Sequence, residues 1–123
     1  MNGPAVEDDL WITDNLFDNV GTASGVPYDH STIYVDALSG VHITGNQFNG
    51  AVTGGGAFGA TTAIKTHGGG VTVLGNNVTD YEICGNIVTN SSSNSTSGDG
   101  GIVVSGNVCK NVAYGFGIWN PRS

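Results

Sequence analysis

Two pairs of residues, each 31 positions apart, carry the chemistry with the most to offer. Tyr34 and Asp36 lie in the stretch 32–36, and Lys65 and His67 occupy the equivalent places in 63–67. In both stretches they alternate with Ile33 and Val35, or Ile64 and Thr66. That is the period of a β-strand with one buried face. Strands stacked in register would put Tyr34 about 5 Å from Lys65, and Asp36 about 5 Å from His67. One exterior face would then hold an acid, an imidazole, an ammonium and a phenol. Acid–base chemistry on a sugar uses groups of that kind. Asp36 and His67 are the catalytic candidates, and Tyr34 and Lys65 the substrate-binding ones. The plainer reading is two cross-strand pairs on a solvated surface.

Trp11 and His42 form a second candidate pair, again 31 residues apart. An exposed indole suits the apolar face of a pyranose ring. Burial under a loop or a neighbouring subunit is the simpler account. Tyr28, Asp29 and His30 fall in a polar loop. Tyr114, Phe116 and Trp119 form an aromatic cluster that reads as the last rung of a stack. Glu7, Asp8 and Asp9 are adjacent carboxylates that cannot all converge on one cation. The run 97–101 reads as a turn. No metal or cofactor is expected. Cys84 and Cys109 are 25 residues apart and match no metal motif. They read as two small buried apolar side chains; a disulfide would need their Cα atoms within about 7 Å.

The elements that must position these residues come from a repeat. Segments 10–17, 41–48, 71–78, 81–88 and 102–109 share an apolar–x–apolar–x–x–Asn pattern, with the asparagines at 15, 46, 76, 86 and 107. Without Asn86 the spacings are 31, 30 and 31. Leu10, Val41, Val71 and Ile102 form one apolar column. Ile12, Ile43, Val73 and Val104 form a second, and Phe17, Phe48, Val78 and Cys109 a third. Between strand and strand come Gly45, Gly75 and Gly106, with Asp14 in the first copy, followed by the Asn column. Gly, Asn and Asp tolerate the left-handed conformation of a sharp bend. Three short strands per turn with like positions stacked describe an all-β parallel β-helix, a solenoid of about four turns. Asn15, Asn46, Asn76 and Asn107 should form a hydrogen-bonded ladder. The copy at 81–88 is either the third strand of its turn or the mark of a register change.

Composition narrows the partners. Lys and Arg total 3 against 10 Asp and Glu, a net charge of −7. Three cations cannot neutralise a phosphate backbone, which excludes nucleic acid. No apolar run approaches a membrane span of about 18 residues, so no membrane partner is expected. The acidic balance favours neutral or amino-sugar glycans over pectin-like or alginate-like ones.

The repeated h-x-h-x-G-N-x-h unit, where h is apolar, resembles the right-handed parallel β-helix repeat of the pectate-lyase-like superfamily. That group includes polysaccharide lyases, polygalacturonases, alginate epimerases and phage tailspikes. The resemblance covers about residues 10–118. It implies a right-handed solenoid whose Asn ladder marks the bend between the second and third sheets. It also implies an active-site groove on the exterior of the first sheet, to which 32–36 and 63–67 would belong. No active-site motif of that superfamily occurs. The expected organisation is a tail at 1–9, the β-helix at 10–120 and a tail at 121–123. Neither tail reads as an end cap. The chain therefore reads as a piece of a longer protein or a subunit of a homo-oligomer, such as a trimer. The expected function is recognition of polysaccharide outside the cell or on a virion surface, as in a tailspike or adhesin, with hydrolytic cleavage as an added activity. A secreted polysaccharide lyase or glycoside hydrolase, and a structural spacer without ligand, are the alternatives.

Overall fold

A computed structural model describes residues 10–21, 31–36, 40–51, 60–88 and 101–119. The described residues form twelve strands. They are β1 (Leu10–Thr13), β2 (Leu16–Val20), β3 (Ser31–Asp36), β4 (Val41–Thr44), β5 (Gln47–Gly50), β6 (Ala60–His67), β7 (Val71–Leu74), β8 (Asn77–Thr79), β9 (Tyr81–Val88), β10 (Ile102–Ser105), β11 (Val108–Lys110) and β12 (Tyr114–Trp119). They build three parallel four-stranded sheets: sheet A in the order β1-β4-β7-β10, sheet B β2-β5-β8-β11 and sheet C β3-β6-β9-β12. Successive strands visit the three sheets in rotation, so the architecture is all-β and solenoid-like. Both expected tails lie outside the described residues.

The repeat period sets the register. In sheet A, Leu10 pairs with Val41, Val41 with Val71, and Val71 with Ile102. The apolar columns therefore face one interior, where Ile43, Val73, Phe48, Val78, Ile64, Ile87 and Tyr81 are buried. Each such side chain contributes about 1.5–3 kcal/mol by leaving water. Phe17 and Phe48 stack with centroids 4.9 Å apart, and Tyr81 meets Phe48 edge-on at 6.3 Å.

The bend from sheet A to sheet B is the same in every turn. Asp14, Gly45, Gly75 and Gly106 all have left-handed φ, from 55° to 66°. An Asn follows each. The Oδ1 of Asn46 accepts the backbone N–H of Asn15 at 3.0 Å and its amide at 3.1 Å. Asn107 accepts the same two donors from Asn76, both at 2.9 Å. Each amide also donates back one turn: Asn46 to Ile12 O, Asn76 to Ile43 O and Asn107 to Val73 O. Asn46 and Asn76 thus satisfy both amide hydrogens and use Oδ1 twice, as burial requires.

The segment 81–88 is the third strand of its turn. Tyr81 pairs with Ala60 and Val88 with His67 in sheet C. Its Gly85-Asn86 pair lies within a strand and forms no bend. Gly85 is glycine for another reason: a Cβ there would run into the Phe116 ring. The short spacing arises because the long connection moves. It lies between sheets B and C in the first turns (21–30 and 51–59), but between sheets C and A after β9 (89–101). The link from β8 to β9 is Asp80 alone. Asp80 and Asn111 sit at equivalent places with φ of 63° and 52°, and the Asn111 amide donates to the Asp80 carboxylate.

The two cysteines correct the reading from sequence. Cys84 on β9 and Cys109 on β11 are disulfide-bonded, with Cα atoms 6.1 Å apart. Stacking at an offset of 31 hid the pairing, because the partners lie on different sheets in consecutive turns. The bridge closes the loop that contains the 89–101 connection.

Candidate functional site

The strongest group of polar and aromatic side chains lies on the outward face of sheet C, where β3 meets β6. Ile33 and Val35 point inward and are buried, so Tyr34 and Asp36 point outward. The register pairs Tyr34 with Lys65 and Asp36 with His67, as the offset of 31 predicts. Tyr34 is 53% exposed. The Lys65 ammonium lies 5.7 Å from its ring centroid, within cation–π range. Lys65 is only 9% exposed, so its stem is laid along the sheet rather than extended into solvent.

The second pair departs from expectation. The His67 ring leans across the diagonal to Tyr34, with centroids 5.6 Å apart and planes at 54°. Its Nε2 is buried and has no hydrogen-bond partner among the described residues. No ion pair joins Asp36 to His67 among them. Asp36 is exposed at the rim of the group. The result is a phenol ring with a cation on one side, an imidazole on the diagonal and a carboxylate beyond. It offers a flat apolar surface with donors and an acceptor around it. It does not offer an assembled proton relay.

Trp11 and His42 also meet as their spacing predicts. The rings stack at 3.8 Å with planes 9° apart, on the outward face of sheet A. The turn of Tyr34 and Asp36 continues through residues 37–40 to His42. The six candidates therefore occupy two consecutive turns on two sheets that flank one connection. Trp11, however, belongs to the terminal strand of sheet A.

Other features were not evident from sequence. A shallow cleft of about 350 Å³ opens on sheet C between β9 and β12, lined by Ile83, Asn86, Tyr114, Gly115, Phe116 and Gly117. The register uncertainty at 81–88 concealed it; the aromatic cluster near 114–119 was its visible half. Tyr81 is buried, and its hydroxyl meets that of Thr32 at 2.7 Å. Burial pushes its pKa up, and the Thr32 bond partly offsets that. No cluster of three or more His, Cys, Asp or Glu suited to a metal ion occurs among the described residues. No helix there is long and apolar enough to cross a membrane. Tyr28, Asp29, His30 and the acidic run at 7–9 lie outside the described residues.

No protein-family model, no curated protein and no solved structure matches this chain.

Proposed function

We propose that this chain is a right-handed parallel β-helix segment that binds a neutral polysaccharide, of the kind carried by phage tailspikes and adhesins. Parallel strands joined in rotation support the right-handed sense, because crossovers between parallel strands are right-handed in nearly all proteins. The observation that carries the binding reading is the exposed Tyr34 ring, held between Lys65 and His67 with Asp36 at its rim. A sugar ring stacked on the phenol would find hydroxyl partners on every side. The net charge of −7 disfavours polyanionic glycans. The Cys84–Cys109 disulfide supports a place outside the cell or on a virion surface.

Binding is favoured over cleavage. Glycosidases of the common type use two carboxyl groups about 5–9.5 Å apart, and among the described residues Asp36 is the single carboxylate of the Tyr34 group. Cleavage by Asp36 and His67, alone or as part of a lyase or hydrolase, is the second reading. The test is a panel of neutral and anionic polysaccharides, with retention, new reducing ends and absorbance near 235 nm followed together. Retention of a neutral glycan that weakens about tenfold or more in Tyr34→Ala, at unchanged melting temperature, supports binding. Reducing ends that disappear in Asp36→Ala or His67→Ala would make the protein an enzyme. Retention of nothing would leave a structural spacer.

A further inference from the structure

We infer that the two ends of the solenoid-like stack form one head-to-tail interface, in which the β10–β12 end of one copy docks on the β1–β3 end of a second copy of this chain. The first ground is the pattern of outward apolar residues. In sheet A one outward column runs Trp11, His42, Thr72, Val103; in sheet B another runs Leu16, Gln47, Asn77, Val108. Both are polar in the inner turns and apolar in the end turns. The four apolar residues are exposed: Trp11 60%, Leu16 61%, Val103 49% and Val108 56%. Solvation alone would put no such difference between inner and end turns. Continuing the stack by one turn would set Val103 against Trp11 of the second copy, and Val108 against its Leu16.

The second ground is the ladder. Every inner contact uses the same bonds, with an Asn N–H and amide donating to the next Oδ1, and the next amide returning to a carbonyl. At one end, Asn107 keeps its backbone N–H and one amide hydrogen without a partner among the described residues. At the other, Asn15 Oδ1 has none, and the Asn15 amide turns back on its own strand to Thr13 O at 3.0 Å. Asn15, Asn46 and Asn107 have the same donors and acceptors; only the neighbouring turn differs. A docked copy would let Asn107 donate to Asn15 Oδ1, and free the Asn15 amide to reach Val104 O, as Asn46 reaches Ile12 O. The half-buried interior residues would meet too: Ile102 and Val104 against Leu10 and Ile12, and Cys109 against Phe17. In sheet C, Gly117 would face Tyr34 and Trp119 would face Asp36, so the docked copy would set an indole at the rim of the Tyr34 group. Such a contact is heterologous and does not close on itself, so it builds linear stacks.

Sedimentation velocity over a wide concentration range tests this. The full chain should associate in a concentration-dependent series of dimers and longer stacks. Val108→Lys and Leu16→Glu, both at exposed outward positions, should each weaken association by about tenfold or more without lowering the melting temperature. Mixed together, they should recover stacks in which the two variants alternate, because the unchanged Val108 of one copy then meets the unchanged Leu16 of the other, and at the next junction the introduced ammonium on β11 meets the introduced carboxylate on β2. Recovery in the mixture is specific to a head-to-tail contact. A discrete trimer indifferent to both substitutions would overturn the proposal in favour of lateral packing. A monomer at all concentrations would also overturn it, and protection of β1 and β10 amides from exchange in that monomer would show that the chain covers its own ends.

Discussion

The side-chain oxygen of Asn76 accepts both the backbone N–H of Asn46, at 2.9 Å, and its amide, at 3.0 Å. One atom thereby fixes the bend of one turn onto the next. The Asn76 amide repeats the contact on Asn107 and ties back to Ile43 O at 2.9 Å. Both residues are buried. The cost of removing one therefore falls on its neighbours as well as itself.

Asn76→Ala leaves the Asn46 backbone N–H and one Asn46 amide hydrogen unsatisfied in the interior. With about 1–3 kcal/mol for each buried group so orphaned, the loss should be about 2 kcal/mol or more. Asn15→Ala removes an exposed residue at the end of the ladder and should cost about 1 kcal/mol. Urea unfolding of the two variants measures the difference. Equal losses would show that the ladder adds nothing beyond each single side chain.

The Cys84–Cys109 bridge spans a separation of 25 residues. Closing a loop of that length in the unfolded chain stabilises the fold by about 3 kcal/mol on the chain-entropy estimate. The unreduced protein should show no free thiol in denaturant. Cys84→Ala combined with Cys109→Ala should melt well below the parent. An unchanged melting temperature in the double variant would mean that the 89–101 excursion is held by other contacts.

Tyr81 makes stability sensitive to alkali. Burial raises its pKa above the ordinary value of 10.0. The folded state therefore holds its proton at a pH where the unfolded chain has released it. Stability from this group is full below about pH 10 and is lost as pH rises through the raised folded value. Tyr81→Phe should abolish this loss, at a cost near neutrality of about 1 kcal/mol for the Thr32 bond. Unfolding free energies from pH 8 to 11, with absorbance at 295 nm to follow phenolate, would check it. Parallel pH curves for the two proteins would refute the assignment.

The candidate site was legible in part. Register alone pairs Tyr34 with Lys65 and Asp36 with His67, because parallel strands stacked by a fixed period bring like positions together. Register does not say where a side chain leans. The His67 ring leans on the Tyr34 ring, and Lys65 lies down on the sheet. Those choices depend on which rotamer each side chain takes across the diagonal, so no column of letters records them. Trp11 and His42 stack as their columns require, but that Trp11 lies on a terminal strand of sheet A is a property of the assembled sheet.

The sequence by itself determines the columns, the bends and the ladder. Each is a local demand repeated at a constant period: alternation makes the strand, Gly or Asp with left-handed φ makes the bend, and Asn above Asn makes the bond. Tertiary structure decides what breaks the period. It assigns 81–88 to sheet C, because the long connection moves from before sheet C to after it. It joins Cys84 to Cys109, because strands on different sheets and in consecutive turns converge on one interior. Among the described residues it also leaves large hydrophobic side chains exposed in the end turns alone. That last fact has meaning only once the stack exists, since an end is a property of the assembled turns and of no single strand.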